Sequence, residues 1–179
     1  MQMKFINQNQ KTIIKLLAWL QIIGGITGLV LIAKYMLQTG PITGPILLIF
    51  IIGLALFTFS TFAGRDLLRS NAGENHFTLT LINQVLQVVH GSMFGWSLAY
   101  TSGVDFSFGV EAMELKFSSS FIMSTFSMTV NSGYAFGLHI NLFAVLVILL
   151  LVHYKERADK NAKDSFPELD ENASEIILH

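Results

Sequence analysis

The run Leu81–Ser97 reads LINQVLQVVHGSMFGWS and gathers Asn83, Gln84, Gln87 and His90 into an otherwise apolar stretch. Carboxamides both donate and accept hydrogen bonds, and an imidazole exchanges protons near neutral pH. On a helix, residues three and four apart share a face. Thr80, Asn83, Gln87, His90, Ser97 and Thr101 follow steps of 3, 4, 3, 7 and 4, so they form one stripe, interrupted at Phe94. Gln84, Gly91 and Gly95 lie beside it, and Leu79, Ile82, Leu86, Val89 and Met93 fall opposite. Such a stripe faces protein or water rather than lipid, and it either bonds neighbouring segments together or lines a path for a small solute or ion.

Other segments offer partners. At about 1.5 Å rise per residue, Gln21 sits roughly 12 Å from the inner boundary, and Asn83 and Gln87 at about 9 and 15 Å, so a Gln21 amide can reach either. His90 falls near the midplane, with Asn141 slightly above it and His139 higher and turned away, a poor arrangement for a metal. Gly24 and Gly28 form a GxxxG pair in an apolar run, a helix-packing signal to which Gly91 and Gly95 add a second.

Catalytic chemistry finds little support. The chain has no cysteine, which removes thiol nucleophiles, thiolate metal sites and disulfides. HExxH, GxSxG and P-loop patterns are absent. His76, His90, His139, His153 and His179 scatter over different depths, although Asp66, Glu74 and Glu156 could join His76 and His153 near one boundary. The reading leans against an enzyme, with no catalytic residue, cofactor or metal assigned.

The elements that must position these residues follow from composition. Of 179 residues, 52% are hydrophobic and 13% charged, against about 25% charged in soluble domains. Net charge is −1, so no global basic field recruits nucleic acid. Stretches of roughly 20 apolar residues are what a bilayer core about 30 Å thick requires. Four spans are expected, at 12–33, 44–62, 77–100 and 134–153, within one transmembrane domain covering 1–157. Lys4, Lys11 and Lys15 precede the first run, but it is long for a signal peptide and no small-x-small cleavage site follows, so it reads as a retained span. With the N-terminus inside, Lys4, Lys11, Lys15, Arg65, Arg69, Lys155, Arg157, Lys160 and Lys163 are cytoplasmic, leaving Lys34 and Lys116 outside. That bias requires the third segment to cross fully. Trp96 and Tyr100 suit an interfacial aromatic belt.

The connections differ in kind. TGPITGP at Thr39–Pro45 marks a tight turn. In 101–132, Phe106, Phe108 and Val110, then Met113, Leu115 and Phe117, then Phe126, Met128 and Val130 recur with period two, which predicts two or three short antiparallel strands joined near Glu111–Ala112 and Ser118–Ser120. So small a segment must cover something, either its own bundle or a partner. The acidic, polar stretch 158–179 reads as a disordered cytoplasmic tail.

The expected fold is an all-α integral membrane protein of four transmembrane helices, a four-helix bundle with a small β-rich extracytoplasmic insertion between helices 3 and 4. The expected function is non-enzymatic: membrane-embedded assembly or sensing through protein contacts. The alternative is a small channel or transporter subunit with a polar path along helix 3, and a less favoured one is a membrane-embedded enzyme. The expected partners are the lipid bilayer and, through residues 104–130, a homo-oligomer or another membrane protein. The sole N-x-[ST] sequon, Asn172-Ala-Ser174, falls in the tail, which fits a multi-pass protein of a bacterial inner membrane with both termini cytoplasmic.

Overall fold

The computed structural model describes residues 8–69, 77–93, 96–130 and 136–164. Two long helices come first, α1 (Gln8–Gln38) and α2 (Gly44–Arg69). Both are long and apolar enough to cross a membrane. They form a hairpin over a short turn. The Thr39 amide and hydroxyl both bond back to the Tyr35 carbonyl, at 2.9 and 2.7 Å, and close the end of α1.

The remainder departs from the expected all-α bundle. α3 (Phe77–Val88) has only 12 residues, then the chain turns into β1 (Val89–Met93). A helix of that length rises about 18 Å, short of a bilayer core. The expected helical span at 77–100 is therefore absent. Val88 and Val89 are β-branched and Gly91 follows, a composition that favours extended chain over continued helix. β2 (Trp96–Glu111) and β3 (Glu114–Val130) form a long hairpin. β4 (Gly137–Asn141) leads directly into α4 (Leu142–Asp164). The fourth expected span likewise changes from strand to helix, and α4 does not qualify as a membrane span because charges crowd its second half. Strands extend from Val89 to Asn141 and follow the two long helices, so they are not a small insertion within a bundle. α4 continues past residue 158, and the rest of the expected tail, 165–179, lies outside the described residues.

The four described strands are all antiparallel, in the order β1-β4-β2-β3, with β1 also pairing β2. β1 pairs the start of β2 (Gly91 with Leu98) and β4 (Val89 with Ile140). β4 in turn pairs the far half of β2 (Ser107 with Asn141 through Glu111 with Gly137). β2 thus bends so that β1 and β4 close a small ring against its two halves. β3 runs along the opposite edge of β2, with a bulge opposite Gly103 and Val104. The β2–β3 turn is Ala112–Met113, with φ of 52° and 68°. Positive φ at both central residues is the pattern of a type I′ hairpin turn, whose twist matches that of the strands. No second turn occurs at Ser118–Ser120, because β3 continues through it.

Two apolar clusters join the layers. At one end, Ile14, Leu17 and Ala18 of α1 meet Leu67 of α2, Phe77 of α3 and Val147 and Leu151 of α4. At the other, Ile32 and Phe57 pack on Tyr100 of β2, with Phe126 of β3 beside them. Between the clusters the interior is polar.

Candidate functional site

α3 buries Thr80, Asn83 and Gln87 of the expected stripe, Gln84 beside them, and Phe77 at its start, and leaves Ile82, Val85 and Leu86 outward. Around this face lies a connected hydrogen-bond network. Asn83 Nδ2 donates to Gln21 Oε1 at 3.1 Å and to the Ser60 hydroxyl at 3.2 Å. Tyr100 Oη sits 3.1 Å from Asn83 Oδ1 and 3.0 Å from the Leu56 carbonyl, able to donate to either. Ser60 reaches the Gln21 carbonyl at 3.3 Å and shares a hydroxyl contact of 2.9 Å with Ser102. Gln87 donates through Nε2 to the Asn83 carbonyl at 3.3 Å and accepts from the Ser102 amide at 2.8 Å. Thr80 bonds to the Ala63 carbonyl at 3.4 Å. One polar atom stands apart: Gln21 Nε2, buried, has no hydrogen-bond partner among the described residues.

The sheet supplies the other half of the network. His90 lies in β1, not on a helix, with Nε2 3.0 Å from the Tyr100 carbonyl and 3.2 Å from the Thr101 hydroxyl. Ser97 and Thr101 lie in β2, so the stripe expected on one helix is divided among α3, β1 and β2. His139 stands directly opposite His90 in the β1–β4 ladder. Helical heights placed these two apart, whereas strand pairing puts opposite residues about 4.5–5.5 Å apart. Among the described residues, no group of three or more histidines and carboxylates is arranged to hold a metal.

Asn141 ends β4 and caps α4. Its Oδ1 accepts from the amides of Phe143 and Ala144 at 3.1 and 3.2 Å, the geometry of an N-cap. Its Nδ2 donates to the Val104 carbonyl at 3.4 Å, tying the cap to β2. Nearby, Asp105 is buried in β2 and accepts from the Ser107 hydroxyl.

Close backbone approach makes this packing possible. A Cβ on Gly24 would lie 2.5 Å from the Gly103 nitrogen and 2.6 Å from the Ser102 carbonyl carbon, so α1 rests directly on the β2 backbone. A Cβ on Gly28 would run into the Phe57 ring of α2. The GxxxG pair therefore serves a strand on one turn and a helix on the next. Gly91 lies on strand β1, and Gly95 is outside the described residues.

No protein-family profile, curated protein or solved structure matches the chain.

Sequence reasoning missed Ser60, Tyr100, Ser102 and Asp105. Ser60 carried a signal, since a small polar residue inside the apolar run of α2 needs a partner. Tyr100 looked interfacial but is buried against Phe57, ring centroids 5.5 Å apart. His76 and Glu74 of the boundary group lie outside the described residues.

Proposed function

We propose that the chain is a non-enzymatic integral membrane protein that works in assembly or sensing through protein contacts, anchored by the α1–α2 hairpin. The observation that carries this reading is the inverted distribution of polarity. Gln21, Ser60, Thr80, Asn83, Gln84, Gln87, Asn141 and their neighbours are buried, while Trp19, Ile23, Ile26, Val30, Leu48, Ile51 and Phe62 are exposed on the long helices. Only 22% of the most apolar window of α2 is buried, unlike the core helix of a soluble protein.

Internal satisfaction of the polar groups supports a cementing role. Both amide atoms of Asn83 and both of Gln87 are engaged by the chain itself, whereas a path-lining stripe would present them to water. The sheet adds a surface for partners, because Val89, Leu98, Phe108, Leu138 and Ile140 are exposed and adjoin through strand pairing. Contiguous exposed apolar surface marks contact with protein or lipid.

The shared packing of α1, α2 and α4 at one end bears on orientation. Lys11 and Lys15, Arg65 and Arg69, and Lys155 and Arg157 flank that cluster, which supports placing it on the cytoplasmic side, with both termini there, as in a bacterial inner-membrane protein.

The second reading, a small channel or transporter subunit, is favoured by the unpartnered Gln21 Nε2, which a permeating solute or a water file could engage. Asn83→Leu and Gln87→Leu in proteoliposomes decide between them. The assembly reading expects lower thermal stability with unchanged leak. A changed flux in variants that still fold overturns it in favour of the path.

A further inference from the structure

We infer that β3 pairs with β3 of a second copy of this chain, antiparallel, about a two-fold axis at Ser119. This rests on the reading of the chain as a protein that acts through membrane-embedded contacts, and it names the contact.

The first ground is the sheet's own closure. β1 has partners in β2 and β4, β4 in β1 and β2, and β2 in β3 on one side and β1 then β4 on the other. Among the described strands, only β3 has an edge with no ladder partner along its whole length; the stretch of β2 between its β1 and β4 pairings is bonded instead by the side chains of Gln87 and Asn141. That edge runs for 17 residues, about 55 Å of alternating donors and acceptors. Protein edges are normally protected by shortness, proline or inward charge. β3 is long and lacks proline, its only charges, Glu114 and Lys116, sit at the tip, and the other usual guards, a bulge at Ile122 and cover by α1, fall beyond Phe121. In lipid an unpaired edge is costly because no water satisfies it, and in water it templates strand addition.

The second ground is where β3 is covered. Its later part is tied to α1, where the Ser124 hydroxyl donates to the Gly24 carbonyl. Its first part, Glu114–Phe121, is exposed at every residue except the half-buried Ser120. Phe117 is 65% and Phe121 64% exposed.

The third ground selects the occupant and the register. The sequence Phe117-Ser118-Ser119-Ser120-Phe121 is a palindrome. An antiparallel pairing centred on Ser119 sets Phe117 against Phe121 of the second copy, twice by symmetry, and Ser118 against Ser120. Moving the axis one residue either way sets a phenylalanine against a serine. Phe117 already lies opposite Phe108, and Phe121 packs edge-on against Phe106 with centroids 4.9 Å apart. The two-fold joins these pairs into one aromatic band across the dimer, and small serines at the axis allow close approach. A patch that complements itself in this way is what an isologous dimer requires.

The chain has no cysteine, so single cysteines report the register without background. Directly opposed residues have Cα atoms about 4.5–5.5 Å apart, within disulfide reach. Under mild oxidation in native membranes, S119C is expected to give a reducible covalent dimer at least fivefold faster than S118C or S120C alone. Co-expressed S118C and S120C are expected to cross-link with each other. F117S/F121S, which leaves the serines intact, is expected to lower the dimer fraction severalfold by light scattering in detergent. If S119C cross-links no faster than its neighbours while the purified protein still has a dimer mass, β3 pairing is overturned and the contact reading stands. Monomer mass in detergent together with no cross-link at any of the three serines in membranes, to a second copy or to any other protein, overturns both. Cross-links from β3 to a different protein overturn the second copy as occupant.

Discussion

Tyr100 Oη lies 3.1 Å from Asn83 Oδ1, so strand β2 is fastened to helix α3 at a point where neither side chain meets solvent. The same hydroxyl lies 3.0 Å from the Leu56 carbonyl of α2. One phenol therefore links three elements around the polar interior.

Tyr100→Phe removes the hydroxyl while keeping the ring on Phe57. It leaves a buried amide oxygen without its donor, which costs about 1–3 kcal/mol. The melting temperature of the detergent-solubilised protein is expected to fall, with elution volume unchanged. A variant as stable as the parent contradicts this geometry.

Gln21 and Asn83 are expected to be unequal. Asn83 engages Gln21, Ser60 and Tyr100, whereas Gln21 already leaves one buried donor unsatisfied. Gln21→Leu removes that orphan along with an acceptor, so it is expected to cost less than Asn83→Leu. The double variant is expected to show a coupling of about 0.5–2 kcal/mol, since the residues share a bond. Chemical-denaturation midpoints of the four proteins supply the cycle, and strictly additive effects would count against a direct link.

Gly24→Ala places a methyl against the backbone of Ser102 and Gly103, which cannot rotate away as a side chain could. Overpacking of this kind costs about 1–3 kcal/mol. Gly40→Ala is the control, because nothing lies within 4 Å of a Cβ there. Comparing the thermal retention of the two in one detergent tests the α1–β2 approach.

The hairpin tip can be improved and titrated. Ala112 and Met113 hold positive φ without being Asn or Gly, at roughly 1–2 kcal/mol per residue. Ala112→Asn with Met113→Gly is expected to raise stability. At the same tip the Lys116 ammonium, 2.8 Å from Glu111, holds the Glu111 carboxyl below its ordinary value, first through the hydrogen bond and then through charge. A depressed folded-state value means the contribution is present above the ordinary carboxylate range and is lost as pH falls through the depressed value. Lys116→Ala should return the Glu111 titration, followed by side-chain carboxyl NMR, toward the ordinary range.

Much of this was legible in the residues. α1 and α2 follow from their apolar length, the inner face of α3 from its spacing, and the β2–β3 turn from alternation that breaks at Glu111–Ala112. What misled was Gln87-Val88-Val89-His90. Its polar residues fit helical spacing, and the same residues fit the change to strand that β-branched Val88–Val89 and Gly91 favour. Asn141 before an apolar run was a helix-start signal read as an interhelical contact. The ring of β1, β4 and β2 was beyond reach, because pairing between residues 89 and 140 leaves no local pattern.

That ring has a consequence for biogenesis. Its last strand, Gly137–Asn141, is made some 45 residues after Val89–Met93, so a nascent chain carries β1 and β2 with raw borders until translation passes residue 141. Low sequence separation favours early formation of the β2–β3 hairpin, whereas ring closure joins residues as far apart as Val89 and Ile140 and carries the larger loop-closure cost. A chain stalled on the ribosome before Asn141 would therefore leave β1 and the far half of β2 without their β4 partner, the kind of raw edge that templates association.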